Sequence, residues 1–214
     1  MSDILSSTVD FKPNKTLKQF AKEVSSGTAL DIGIGGGRDA LYLASIGYEV
    51  TTYDVSPQFS EKCNQTAKES NLNVKSAYST LNEIDVSSES FDLITSAWIL
   101  HSIKKSESDL LINKLIAGLK PGGMIILSLF SIEDPYFKSE SETAEMVEEN
   151  TFYSKERNSY MHYFSKDEIL YHFKDLKLIT LIEKLNLDTG HGSPHYHGII
   201  EYVGTKDNPI KIYA

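Results

Sequence analysis

Cysteine is nearly absent from this 214-residue chain: Cys63 stands alone. One cysteine excludes an internal disulfide and a cysteine-rich zinc cluster. Cys63 lies in a helical stretch, where it reads as packing rather than catalysis. A basic surplus is missing too, with 21 Lys and Arg against 30 Asp and Glu and a net charge of −9. Neutralising phosphates needs a basic face, so no nucleic-acid partner is expected, although a small anionic substrate needs only one or two local cations. No apolar run approaches the roughly 18 residues of a membrane span, and no secretory leader pattern opens the chain. A cytoplasmic protein working on a small molecule, with no membrane partner, is the expectation. Repeats, low-complexity tracts and linkers are also lacking, so residues 1–214 are expected to form a single α/β domain around one core.

What the chain does have is concentrated in Ala29–Ser56, ALDIGIGGGRDALYLASIGYEVTTYDVS. This reads as a buried strand (Thr28–Ile32), a glycine loop, an amphipathic helix, and a second strand (Glu49–Tyr53) ending in Asp54. Glycine lets backbone approach a ligand closely, and N–H groups at the start of a helix face that ligand. An acid at the tip of the next strand is placed to accept from ribose hydroxyls. An adenosine-containing cofactor follows. The dinucleotide fingerprint wants Gly or Ala at its sixth position for close helix–strand packing, and here that position is Arg38. The glycines instead give D-x-G-x-G-x-G over Asp31, Gly33, Gly35 and Gly37.

Downstream, the order alternates. Lys15–Val24 has helical spacing, after a stretch to about Asn14 expected to be partly loose. Ser56-Pro57 reads as N-cap and first helical residue of a helix to about Glu69. Asn73–Ala77 is a short strand, Phe91–Trp98 a strand covered on both faces, Ser106–Leu119 a helix, and Met124–Phe130 a fifth strand. Ser131–Phe164 is polar and tyrosine-bearing with no clear period, and a stretch that long inside a core points to a lid or binding loop. Ser165–Phe173 carries a capping pattern. Leu176–Leu187 and Tyr196–Gly204 read as a terminal antiparallel hairpin, where a nicotinamide-type sheet would end in a parallel strand.

Together, LDIGIGGGRDALYLASIGYEVTTYDVSP, FDLITSAWILHSI, LKPGGMIILSLF and HGSPHYHGIIEYVGTK resemble the class I S-adenosylmethionine (SAM) methyltransferases, within them most the tellurite-resistance methyltransferase group. The resemblance implies a Rossmann-like seven-stranded sheet of order 3-2-1-4-5-7-6 with its last strand antiparallel and helices on both faces. It implies SAM as cofactor and methyl transfer to a small acceptor: a thiol, a chalcogen oxyanion, or a metabolite oxygen or nitrogen. Asp31, Gly33, Gly35 and Gly37 would hold the methionine part, with Arg38 nearby to reach a carboxylate or pair with an acid on its own helix. Asp54 would bind the ribose. An Asp that relatives place after the third strand, against the adenine, is missing; Ser79 and Thr80 stand there, with Asp85 a few residues on, able to substitute only if the loop folds back. Ser96 and Trp98, at the end of the fourth strand, would border the cofactor. The alternatives are a SAM-binding protein without catalysis and a nicotinamide-dependent oxidoreductase.

For chemistry at the acceptor, His101 is the candidate general base, since its class titrates near working pH; a packing histidine is the other reading. His195 and His197 alternate on one strand and share a face, with His191 in the adjoining turn. They are read, with Tyr163 of the insertion, as lining a substrate pocket. Three imidazoles can also hold a metal, but no metal is assigned. Tyr153, Tyr160 and Phe164 would either wall the same pocket or anchor the insertion.

Overall fold

The computed structural model describes residues 11–81, 83–189 and 192–207. Most of the stretch expected to be loose, and His191, lie outside them. Strands β1 (Thr28–Ile32), β2 (Glu49–Asp54), β3 (Val74–Tyr78), β4 (Phe91–Ala97), β5 (Leu119–Phe130), β9 (Lys177–Asp188) and β10 (His195–Thr205) form one sheet in the order β3-β2-β1-β4-β5-β10-β9. The first five are parallel, and β10 runs antiparallel between β5 and β9. As β9 and β10 are its sixth and seventh strands, the order is the expected 3-2-1-4-5-7-6.

The central strands are apolar because both sheet faces are covered. Side chains alternate across the pleat, so Leu30, Ile32, Ile125 and Leu127 join one core cluster while Ala29, Met124 and Ile126 join the other. The first cluster is closed by α4 (Lys105–Gly118), through Leu111, Ile112 and Leu115. The second is closed by α1 (Lys15–Phe20), α2 (Arg38–Ser45) and α3 (Pro57–Glu69), through Leu17, Leu41, Leu43 and Cys63. Ser56 caps α3 with Pro57 at its first turn. Helix α1 stops at Phe20, short of the expected Val24, and β5 begins five residues early, at Leu119.

The segment 131–164 contains regular structure that its sequence hides. Asp134 caps α5 (Pro135–Thr143) by accepting from the Tyr136 N–H at 2.8 Å. Three short strands, β6 (Glu145–Glu148), β7 (Thr151–Ser154) and β8 (Ser159–His162), follow as an antiparallel sheet. Its turns place Asn150 and Asn158, not glycine, at φ of +51° and +49°, which asparagine tolerates. Phe137 anchors the unit edge-on against Phe152 and Tyr163, with centroids 5.7 and 5.3 Å away. Helix α6 (Lys166–His172) is capped as expected, the Glu168 N–H donating to Ser165 Oγ at 3.1 Å. The Glu168 carboxylate turns instead to His162 and Lys105.

No helix among the described residues is long and apolar enough to cross a membrane.

Candidate active site

Parallel strands bring their carboxyl ends to one edge, where open α/β sheets bind ligands at the reversal of strand order. Here that reversal lies between β1 and β4. Ile32, Asp54, Ala97 and Phe130 end their strands at this edge, and antiparallel β10 starts there, with Ile199 opposite Phe130. The glycine loop follows β1. Gly33, Gly35 and Gly37 have φ of +82°, +46° and +76°. A Cβ on Gly33 would fall 2.8 Å from Ile99 Cβ, whereas one on Gly35 would meet nothing within 4 Å. Gly35 therefore faces open space. Its N–H donates to Asp54 Oδ2 at 3.1 Å, and the Ser56 N–H donates to Oδ1 at 2.7 Å. Each carboxylate oxygen keeps a further lone pair.

Beneath the loop, Asp31 is 3% exposed. Burial, then the charges of Asp39 and Asp54, push its pKa well above the ordinary carboxylate range, against the Ala40 N–H bond that lowers it. Asp39 is raised by burial as well and accepts from the Asn14 N–H at 2.7 Å. Arg38 is exposed on the first turn of α2, with its charge beside Asp39. A raised acid holds its proton longer in the folded state, so Asp31 favours folding at low pH and that contribution is lost as pH rises through its folded value. A cationic ligand placed beside Asp31 would favour the ionised form. Binding such a ligand is expected to release protons between the ordinary carboxylate pKa and Asp31's raised one, and affinity to strengthen with pH there. Calorimetry in two buffers of different ionisation enthalpy measures the release, and Asp31→Asn should abolish it.

At the end of β4, Trp98 occupies the left-handed region at φ +63°, a conformation that bulky residues hold only where surroundings enforce it, commonly at functional sites. Its N–H donates to Ser128 O at 3.0 Å, and its ring packs 5.3 Å from Phe130. Ser96 is buried, and its Oγ has no hydrogen-bond partner among the described residues. After β3, Ser79 and Thr80 are half-buried. The Ser79 hydroxyl donates to Thr80 O at 3.0 Å and that of Thr80 to Glu83 Oε2 at 2.7 Å, while Asp85 is exposed. His101, in a 3-10 turn (Leu100–Ser102), is buried edge-on against Phe130 at 4.5 Å. Burial, with His162 and His197 nearby, pushes its pKa down to about 4. A base that weak is a poor match to neutral pH, and its ring is not among those lining the cavity described next; the packing reading suits His101 better.

Beyond Phe130 lies a cavity of about 600 Å³ lined by Phe130, Asp134, Tyr136, Glu140, Arg157, Met161, Tyr163 and 192–197 except Tyr196. It brings together Tyr163, His195 and His197. Burial and the Asp134 charge push the Tyr163 phenol upward, so it stays a neutral wall. Phe130 packs against His197 at 4.7 Å as well as against Trp98. One ring thus spans from the β4 end to the cavity.

A methyltransferase domain family model matches residues 29–123. The probable SAM-dependent methyltransferase TehB of Haemophilus influenzae is 30% identical over 115 residues, 53% of this chain and 40% of that protein. The ubiquinone biosynthesis O-methyltransferase of Rickettsia akari is 29% identical over 114 residues, 53% of this chain and 44% of that one. The alignments thus span less than half the length of these curated relatives. The crystal structure of Haemophilus TehB superposes with a TM-score of 0.73 at 20% identity, over 91% of this chain and 62% of that one. Residues 29–123 therefore resemble a methyltransferase domain, and the whole chain shares the fold of solved SAM-dependent methyltransferases. A methyltransferase of Burkholderia thailandensis, solved with S-adenosylhomocysteine, shares the fold at a TM-score of 0.67 and 17% identity, over 96% of this chain and 82% of that one.

The residues gathered at this edge fit SAM in their chemistry. The cofactor carries an ammonium, a sulfonium and a ribose diol. Opposite these the chain offers a raised buried acid, a loop with open space at Gly35, and strand-end Asp54 with acceptor capacity left. The nicotinamide alternative is set aside by the family match and by antiparallel β10. Asp134, Arg157, Tyr136 and Phe130 were not singled out in the sequence. Only Asp134-Pro135, an N-cap with proline at the first turn, carried a local signal.

Proposed function

We propose that this methyltransferase moves the SAM methyl group to a small acceptor held in the cavity under the 131–164 segment. The observation that carries the reading is Phe130, which packs on Trp98 at the cofactor edge and on His197 in the cavity. Bound SAM supplies a methyl group on a positive sulfur, open to in-line displacement. In this reading Asp31, the glycine loop and Asp54 hold the cofactor, Arg38 stands ready for its carboxylate, and Ser79, Thr80 and Ser96 border it. Trp98 and Phe130 offer aromatic faces to positive charge. The α5–β8 unit excludes water from the acceptor, and alignment supplies most of the rate.

The acceptor favoured is a soft nucleophile that arrives already ionised, a thiolate or reduced chalcogen anion, because it has no proton to lose and reacts once positioned, whereas a hydroxyl needs a base and His101 is held near 4. The relatives' printed names include both an O- and an N1-methyltransferase, so no acceptor carries over from them. The test is transfer of labelled methyl from SAM to a panel of thiols, chalcogen oxyanions, phenols and amines. Turnover is expected on thiols or chalcogens, with His101→Leu keeping kcat within about threefold; a base is worth roughly 10²–10⁴, and a loss of that size would restore it to His101. SAM binding with no turnover on any member would favour the non-catalytic alternative.

A further inference from the structure

His195 and His197 meet at the mouth of the cavity with their Nε2 atoms 3.0 Å apart. Both Nδ1 atoms are committed elsewhere. That of His195 is 2.8 Å from the Ser193 carbonyl oxygen, and that of His197 is 2.9 Å from Asp134 Oδ2. Asp134 Oδ2 also accepts from the Gly198 N–H, at 2.9 Å. A carbonyl and a carboxylate only accept, so each ring carries its hydrogen on Nδ1. With both Nδ1 atoms turned to these acceptors, the two Nε2 atoms face each other, a spacing that one shared cation can bridge.

Asp188 completes the set. It sits directly across the hairpin from His195, and one of its carboxylate oxygens lies with one ring nitrogen of each histidine inside a 4.8 Å span. We propose that Asp188, His195 and His197 form a site for a divalent transition-metal ion of the zinc class. Imidazole with one carboxylate is a donor set for zinc, copper or nickel rather than for calcium or magnesium. Ligands about 2.0–2.1 Å from a tetrahedral ion stand roughly 3.3 Å apart, so the two nitrogens need open by only a few tenths of an ångström. Nδ1–H bonds to a carboxylate and a backbone carbonyl are the supports that metal-binding histidines use to fix tautomer and direction. Three protein ligands leave a tetrahedral ion one open position, and both histidines line the cavity, so that position serves an anionic or thiol ligand.

A second cluster, Asp109, Glu168 and His172, already holds a cation: Lys105 Nζ lies 2.9 Å from Glu168 and 3.2 Å from Asp109. It serves as the internal control.

The experiment is Zn²⁺ titration of the full chain, stripped with chelator, by calorimetry and by metal analysis after gel filtration. One Zn²⁺ per chain is expected. His195→Ala and Asp188→Asn should each weaken it by about tenfold or more, within the range seen for supporting groups alone, and His172→Ala should leave it unchanged. Because His197 also packs on Phe130, nitrogen-detected NMR of the unmodified chain replaces its mutation. Zn²⁺ should shift the Nε2 signals of His195 and His197 and leave their Nδ1–H signals in place. No binding up to about 1 mM, undiminished binding in His195→Ala, or coordination through Nδ1 would overturn the site. Neither readout uses methyl transfer, so the result stands apart from the acceptor reading.

Discussion

Gly35→Val is expected to remove SAM binding while leaving the chain folded. In the unmodified protein, SAM at about 100 times its dissociation constant adds roughly 2.7 kcal/mol, which raises Tm by about 5–10 °C in a domain of this size. In the variant that shift should vanish. The argument rests on where the added atoms go. A Cβ on Gly35 meets no protein atom within 4 Å, so the first methyl groups enter the space assigned to the cofactor. The backbone at φ +46° disfavours any L-residue by about 1–2 kcal/mol, so the ligand-free Tm falls modestly. Gly33→Val separates the two effects, since its Cβ would strike Ile99 at 2.8 Å and the fold itself should suffer. An unchanged SAM-induced shift in Gly35→Val would remove the glycine loop from the cofactor site.

The half of the candidate site proposed for the cofactor was legible as a cluster because it is local. Asp31, the three loop glycines and Asp54 lie within 24 residues, and alternation of strand and helix patterns carries them to one sheet edge. The hairpin was legible for the same reason: His195 and His197 differ by two positions and must share a face. Their companions were not. Asp188 joins them only through the register that sets it opposite His195, and nothing local announces which residues of two strands will face. Asp134 reaches Gly198 across 64 positions. The α5–β8 unit escaped because its strands span four residues each and its turns use asparagine, leaving too few periods to count. His101 shows a different limit. Its type suggested a base, but burial decides base strength, and burial at one position is not written in its neighbours.

Asp31 and the β10 end differ in how each could meet a positive charge. Asp31 is an acid whose pKa is pushed upward by burial and by other acids, so a cation placed beside it would shift a proton equilibrium. At the cavity the imidazoles are oriented by Asp134 and Ser193, so a cation there would shift geometry by little.

Gly198→Ala is expected to be the most damaging single-methyl change in the sheet. Its Cβ would fall 2.3 Å from Asp134 N and 2.5 Å from Glu133 C, both backbone atoms that no rotamer change can move. At the same point the Gly198 N–H donates to Asp134 Oδ2 at 2.9 Å, and its carbonyl accepts from the Ser131 N–H at 2.8 Å. The strand and the start of the insertion are thus held at a separation only glycine allows. Forcing them apart adds overpacking of about 1–3 kcal/mol to the loss of one or two buried hydrogen bonds at roughly 1–3 kcal/mol each. A total near 3–5 kcal/mol lowers Tm by about 6–20 °C. Gly36→Ala is the control: it is exposed, with 3.9 Å of clearance and no positive φ, and should stay within about 0.5 kcal/mol. Because the Gly35 loop sits on other strands, the SAM-induced shift should survive in Gly198→Ala even as hydrogen exchange in 131–164 rises. A fall in Tm under about 2 °C, less than 1 kcal/mol, would mean that the insertion is not pinned to β10 through Asp134, and that His197 takes its orientation from something else.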